Sequence, residues 1–345
     1  MSQFDILIDR QTRIAEGVEG PLPLPKFDSY TVCNLRGGIG KTSLSFNLSY
    51  LANDLLVVDT CPQGNLSYFY DNNYATSNSA SVNDLLTPYF VPGLGHPSRV
   101  AKPISASNRW FNGKSNFFIQ SNNELYLLPT QMANALAQAR TLTGTTQTTV
   151  IDNMFYSLRN EIRREKTESG TNKVLIDTSP FFSGATHLAW HACDALIVPV
   201  RTDQQSINSL NLLLETLSKA SSEFRKLMPS DQHTPKIQMI VLTHCGWSTV
   251  AGARNKPNQQ TKMYLESLRD IVSRNISQFT TNEPNNHIVM LDDFLGSGRM
   301  SSAQSKPLEL LNPGDSVTIN RVRTSVNMSV TKIKNELKFI SCSLW

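Results

Sequence analysis

Arg36-Gly37-Gly38-Ile39-Gly40-Lys41-Thr42-Ser43 is the stretch that decides the fold of this chain. It follows a short apolar run, Tyr30-Thr31-Val32-Cys33, which reads as a buried strand. It opens a segment with Leu44, Leu48 and Leu51 spaced along one helical face. Strand, glycine-rich turn and helix is the setting of a phosphate-binding loop. Glycines let the backbone curl until its N–H groups face phosphate oxygens, and the helix start adds partial positive charge there. In this reading Gly37, Gly38, Ile39, Gly40, Lys41, Thr42 and Ser43 cradle the phosphates. Lys41 reaches the β- and γ-phosphates, and the Thr42 hydroxyl binds Mg²⁺. The bland alternative is a tight turn with no ligand, and Gly-Lys-Thr in register between strand and helix argues against it.

Working outward, the chain has 345 residues, 39% of them hydrophobic, with a mean hydropathy of −0.26. That is the balance of a soluble globular protein with enough apolar material for a core. The net charge of +4 is compatible with a polyanionic partner without requiring one. Cys33, Cys61, Cys193, Cys245 and Cys342 are scattered and form no C-x-x-C pair, so neither a zinc site nor a disulfide framework is indicated. A reducing cytoplasm is the simplest setting, and no run approaches the length of a membrane span.

Residues 1–28 read as an N-terminal extension: Phe4, Leu7, Ile8 and Ile14 line a short helix, and Gly20-Pro21-Leu22-Pro23-Leu24-Pro25 forms a stiff linker. From residue 29 to 345 apolar runs alternate with helical patterns. Strands are expected at 55–59, 125–129, 174–177, 195–200, 237–242 and 287–291. Helices are expected at 82–87, through most of 131–163, around Leu210–Leu217, at 261–279 and from Val330 to Leu344. The polar stretch 71–124 reads as long loops anchored by Trp110, Phe111, Phe117 and Phe118. Such alternation predicts an α/β fold: a mainly parallel, twisted sheet with helices on both faces.

Two further stretches complete the candidate site. Val58-Asp59-Thr60-Cys61-Pro62-Gln63-Gly64-Asn65 follows the second strand, and Val174-Leu175-Ile176-Asp177-Thr178-Ser179-Pro180 is an apolar run ending in a carboxylate. Ligands of parallel sheets sit beyond the carboxyl ends of the strands, where Asp59 and Asp177 would orient a metal and its water. Either Asp alone could equally be a cap or turn residue. In this order, behind the loop, they make a set.

With these residues in view, the chain resembles the ParA/MinD family of deviant-Walker ATPases, and within it the ParA partition branch. The likeness rests on R-G-G-I-G-K-T-S with Asn47 downstream, V-D-T-C-P-Q-G-N, L-I-D-T-S-P and A-L-I-V-P-V-R-T-D-Q-Q-S-I-N-S-L, with Met239–Thr243 and Ser305-Lys306-Pro307 also fitting. It spans about residues 29–340. The resemblance implies a P-loop NTPase domain that forms an ATP-sandwich dimer, with ATP and Mg²⁺ as cofactors. Arg36, Lys41, Asp59 and Asp177 would serve catalysis, with Thr42, Asp59 and Asp177 around the metal. It also implies slow hydrolysis, binding of nonspecific DNA by the ATP dimer, a ParB-like partner, and a cytoplasmic, nucleoid-associated protein. The chain departs from the family twice. The crossing Lys at the head of the loop is Arg36, which keeps the charge with a different geometry. The Asp that orients the attacking water is Cys61, a poor substitute.

Basic residues cluster at Arg254, Lys256 and Lys262, with Arg269 and Arg274 following, and again at Arg321, Arg323, Lys332 and Lys334. The resemblance makes these candidates for the DNA face, against the ordinary reading of solvated charge. His187 and His191 stand at i and i+4 but lack a third ligand, so a packed helix face is expected rather than zinc. The C-terminal helix resembles a MinD-type membrane tail, yet Glu336, Ser341 and Ser343 dilute its apolar face, and packing on the body is expected. Two other functions compete: a nucleotide-gated dimerisation switch with little hydrolysis, and a MinD-like membrane organiser.

Overall fold

The computed structural model describes residues 3–182, 184–248, 255–319 and 321–345. Among them, the strands in chain order are β1 (Ser29–Val32), β2 (Leu55–Asp59), β3 (Lys102–Pro103), β4 (Phe117–Ile119), β5 (Lys173–Asp177), β6 (Ala195–Arg201), β7 (Lys236–Cys245) and β8 (Ile288–Asp292). They form one sheet in the order β3-β4-β2-β5-β1-β6-β7-β8, in which only the β3–β4 pair is antiparallel. A separate hairpin joins β9 (Ser316–Ile319) to β10 (Val322–Ser325). The helices are α1 (Gln3–Glu16), α2 (Lys41–Leu51), α3 (Asn65–Tyr70), α4 (Val82–Phe90), α5 (Leu128–Ala139), α6 (Gly144–Phe155), α7 (Ser157–Ser169), α8 (Gly184–Ala192), α9 (Gln204–Ser218), α10 (Glu223–Lys226), α11 (Gln259–Arg274), α12 (Leu295–Gln304) and α13 (Val330–Leu344). The expected α/β architecture is present.

The strands are apolar on both faces because both are covered. Leu55 and Val57 of β2 enter one core and Leu56 and Val58 the other, following the two-residue period of a strand. The apolar stripe of α13, Val330, Ile333, Leu337, Ile340 and Leu344, is buried in the first of these cores. It is therefore not a free membrane-binding face, and among the described residues no helix is long and apolar enough to cross a membrane.

One expectation needs correction. Leu125–Pro129 is not a strand: Asn123–Tyr126 is a 3₁₀ turn and α5 begins at Leu128, with Pro129 in its first turn. Pro is tolerated there because the first helical N–H groups have no intrahelical partner. The strand of this region is Phe117–Ile119, which pairs with β2. Residues 3–28 are laid into the body. The Arg10 guanidinium, buried, donates to the carbonyls of Asn285 (2.8 Å) and Ile288 (2.6 Å). Gln11 donates to Glu336 Oε1 at 2.6 Å, and within the Pro-rich run Leu22 and Leu24 are buried.

Candidate nucleotide site

The loop between β1 and α2 lies at the carboxyl edge of the sheet, on its central strands. Gly38 (φ 70°) and Gly40 (φ 90°) both take the left-handed conformation that other residues resist. Gly40 stands immediately before α2, so the free N–H groups of that helix face the loop. Lys41 is buried, its ammonium donating to the carbonyls of Arg36 (2.7 Å) and Asn34 (3.2 Å). Burial lowers its pKa, and the Asp177 charge opposes that shift.

Asp177 ends β5 directly beside Asp59 at the end of β2. Asp177 accepts from Thr42 Oγ1 at 2.9 Å and Ser45 Oγ at 2.7 Å. Both Asp59 and Asp177 have pKa values raised mainly by burial, and the Asp177 charge adds to the rise at Asp59. Two adjacent buried carboxyls and a hydroxyl suit a hard divalent cation, which would relieve their repulsion. They are not equivalent. Asp59 accepts from Cys61 N (3.1 Å) on one oxygen and from Ser67 N (2.8 Å) and Ser67 Oγ (2.8 Å) on the other. Among the described residues no group of three or more His, Cys, Asp or Glu side chains converges on a metal position. The Thr42 hydroxyl with the Asp59 and Asp177 carboxyls fits Mg²⁺, which keeps several waters and takes phosphate oxygens.

A cavity of about 460 Å³ opens on the β7–β8 side of the loop, between Gly38, Gly40 and Ser43 and a wall of His244, Asp293, Phe294 and Arg299. Its aromatic and polar lining suits a base and ribose. Sequence reasoning missed this wall, because its members are single residues at the end of β7 and after β8 with no motif around them. Thr243 Oγ1 ties it to the loop by donating to Ile39 O at 3.2 Å. On the other side a cavity of about 220 Å³ reaches Cys61, Gln63, Asn65, Thr178 and Pro180. Cys61 is buried, and burial with the neighbouring Asp59 charge pushes its thiol up to about 12.

Arg36 forms an ion pair with Asp203 and donates to Ser206 Oγ at 2.6 Å, within its own chain. Asp203 also caps α9, accepting from Ser206 N at 2.9 Å. Arg36 is thus held beside the loop by a residue that the sequence reading did not single out. Among the other candidates, Lys256, Arg321 and Arg323 are exposed, and Lys262 and Lys334 are half-buried. Lys332 is drawn inward: it lies 3.5 Å from Asp292 and 3.9 Å from Glu336, only 11% exposed, so it does not belong to an outer basic face. Arg254 lies outside the described residues. His187 and His191 sit in a buried aromatic cluster with Phe155, Phe182 and Phe224, as a packed helix face would.

The loop, the paired carboxyls and the parallel sheet define a P-loop nucleotide-binding α/β protein. The sequence profile of the family described as AAA domain matches residues 29–229, and the chain belongs to that family, with the fold of the ParA/MinD-like P-loop ATPases. A variant of Cyanothece McdA in complex with ATP superposes with a TM-score of 0.60 at 14% identity, covering 92% of this chain and 97% of that one. Apo McdA gives 0.55 at 15% identity over 81% and 91% of the two chains. A protein described as a plasmid partition protein of Borrelia burgdorferi, bound to AMPPNP, gives 0.50 at 14% identity over 92% and 98%. No curated protein sequence matches the chain.

Proposed function

We propose that this protein is a ParA-type partition or positioning ATPase. It closes into a homodimer on ATP, binds DNA without sequence preference, and moves or spaces a cargo with a ParB-like partner that stimulates its slow hydrolysis. The observation that carries this reading is the surface around the phosphate loop. Phe181 (42% exposed) and Leu212 (52%) line a groove with Leu35 on one side, and Leu295 (51%) lines the larger cavity on the other. Exposed apolar side chains flanking a nucleotide site suit a second copy of the same surface, closing over ATP.

In the dimer Lys41 contacts the β- and γ-phosphates, and Arg36 leaves Asp203 to reach across to the partner's nucleotide. Thr42, Asp59 and Asp177 hold Mg²⁺, with Asp59 also fixing the turn at Cys61. When bound, the ion neutralises charge on the phosphates. Lys256, Lys262, Arg321, Arg323 and Lys334 are the cations of the DNA face in this reading, and the protein works in the cytoplasm, on the nucleoid when ATP-bound. A gel-shift measurement tests the proposal. With ATP and Mg²⁺ the protein should retard DNA of unrelated sequences equally and with ADP it should not; equal retardation in both states, or none with ATP, refutes it.

A further inference from the structure

In the ATPase reading above, the smaller cavity beside the phosphate loop would hold the water that attacks the terminal phosphate, and few of its side chains can fix one. Pro180 has no donor, and the Thr178 hydroxyl is committed to Val32 O at 2.9 Å. The Cys61 thiol is buried and forms only weak hydrogen bonds. With Lys41, Thr42 and Ser43 of the loop given to phosphates and metal, Gln63 and Asn65 remain, both exposed carboxamides, with Asn65 Nδ2 donating to Gln63 Oε1 at 3.3 Å.

The turn that presents Gln63 is built to stay in place. Cys61 O accepts from Gly64 N (2.8 Å) and Ser121 Oγ (2.5 Å). The Tyr74 hydroxyl donates to Gln63 O at 3.1 Å. The Tyr74 phenol lies directly on Gly64, where φ is 62° and an added Cβ would fall 2.1 Å from the hydroxyl. The backbone of residue 63 is therefore fixed from both sides, while its exposed side chain at the cavity rim is held only by the 3.3 Å contact from Asn65 Nδ2.

We infer that Gln63 orients the attacking water in this ATPase, with Tyr74 as the positioning residue of its turn; the inference rests on the ATPase reading above. Gln63 Oε1 accepts a hydrogen bond from the water, and Nε2 donates to a γ-phosphate oxygen only as the transition state forms, so ground-state ATP binding does not depend on it. The water oxygen bonds to Pγ as the bond from Pγ to the bridging oxygen breaks, leaving ADP. The water's proton passes to a phosphate oxygen, so ATP and water give ADP and dihydrogen phosphate. A carboxamide takes no proton, so it aligns the water without acting as a base, which suits slow turnover.

Single-turnover hydrolysis of Mg-ATP and equilibrium ATP binding test this on the full chain. Gln63 is exposed, so Gln63→Ala and Gln63→Leu should fold normally. Each is expected to slow hydrolysis by about 100-fold while leaving the ATP dissociation constant within threefold. Tyr74→Phe, which keeps the ring on Gly64, should slow hydrolysis by about threefold with unchanged ATP binding. Wild-type hydrolysis rates in both Gln63 variants would overturn the inference and leave the ATPase reading standing. A parallel loss of ATP binding would also overturn it, by making Gln63 a binding residue. If the wild-type chain binds no ATP, the ATPase reading falls first and the inference with it.

Discussion

Replacing Asp203 by Asn should tighten the ATP dimer. Arg36 is bound to Asp203 in its own chain, and in the proposed dimer it must leave that partner to reach the opposite nucleotide. The two side chains are 25% and 32% exposed, so water screens part of their attraction. A pair of that exposure contributes about 0.2–1 kcal/mol. Two-fold symmetry breaks it twice, so the dimer forgoes roughly 0.4–2 kcal/mol, or about 2- to 30-fold in its dissociation constant. Asn is as good an N-cap as Asp, so α9 should keep its start and the melting temperature should hardly move. Sedimentation velocity with a non-hydrolysable ATP analogue and Mg²⁺, over a concentration series, reads the constant directly. Equal dimerisation of the two proteins would show that Arg36 never gives up Asp203. Weaker dimerisation of the variant would show that Asp203 places Arg36 for its task rather than competing for it.

Lys41→Ala should abolish ATP-dependent dimerisation, since a charge-assisted phosphate contact contributes about 1.5–3 kcal/mol per hydrogen bond; an unaltered dimer in the same sedimentation series would contradict the site. Lys332→Met should lower unfolding stability by about 3 kcal/mol in urea, because it leaves the Asp292 and Glu336 carboxyls buried without their cation. Arg323→Glu should do the reverse: stability should hold, DNA affinity should fall for all sequences, and the salt slope should flatten by about one unit. Acid should destabilise the fold through His187, whose pKa burial lowers from 6.5 to about 4. The folded state then binds fewer protons than the unfolded one, so this stability is present above pH 6.5 and is lost as the pH falls towards 4. The loss should be about 2 kcal/mol between pH 7 and pH 5, and His187→Phe should flatten the pH dependence of melting.

The phosphate loop was legible because its chemistry is contiguous: eight residues carry the turn, the cation and the hydroxyl. Asp59 and Asp177 were legible because each ends an apolar run, and the sheet then sets those runs side by side. Leu125–Pro129 misled because five residues of apolar sequence fit a strand and a helix start alike, and only the neighbours decide. Phe117–Ile119 was too short to show a period, yet pairing with β2 makes it a strand. The partner of Arg36 lies 167 residues away and the wall of the larger cavity comes from two separate strand ends, so no local pattern announces either. Lys332 looked like its basic neighbours because sequence does not tell the inner face of α13 from the outer one at a single lysine.

The docking of the N-terminal segment also bears on how the protein is made. Gln11 waits for Glu336, Leu22 N for Ser343 and the Tyr30 hydroxyl for Leu344 O, each more than 300 residues later in the chain. At roughly 5–20 residues per second, a ribosome needs on the order of 15–65 s to deliver those partners. Through that interval Ile14, Leu22 and Leu24, which share a core with the apolar stripe of α13, have no α13 to cover them. Helix α1 thus emerges long before its partners and docks late, and a chaperone that holds short apolar helices would meet it in that interval.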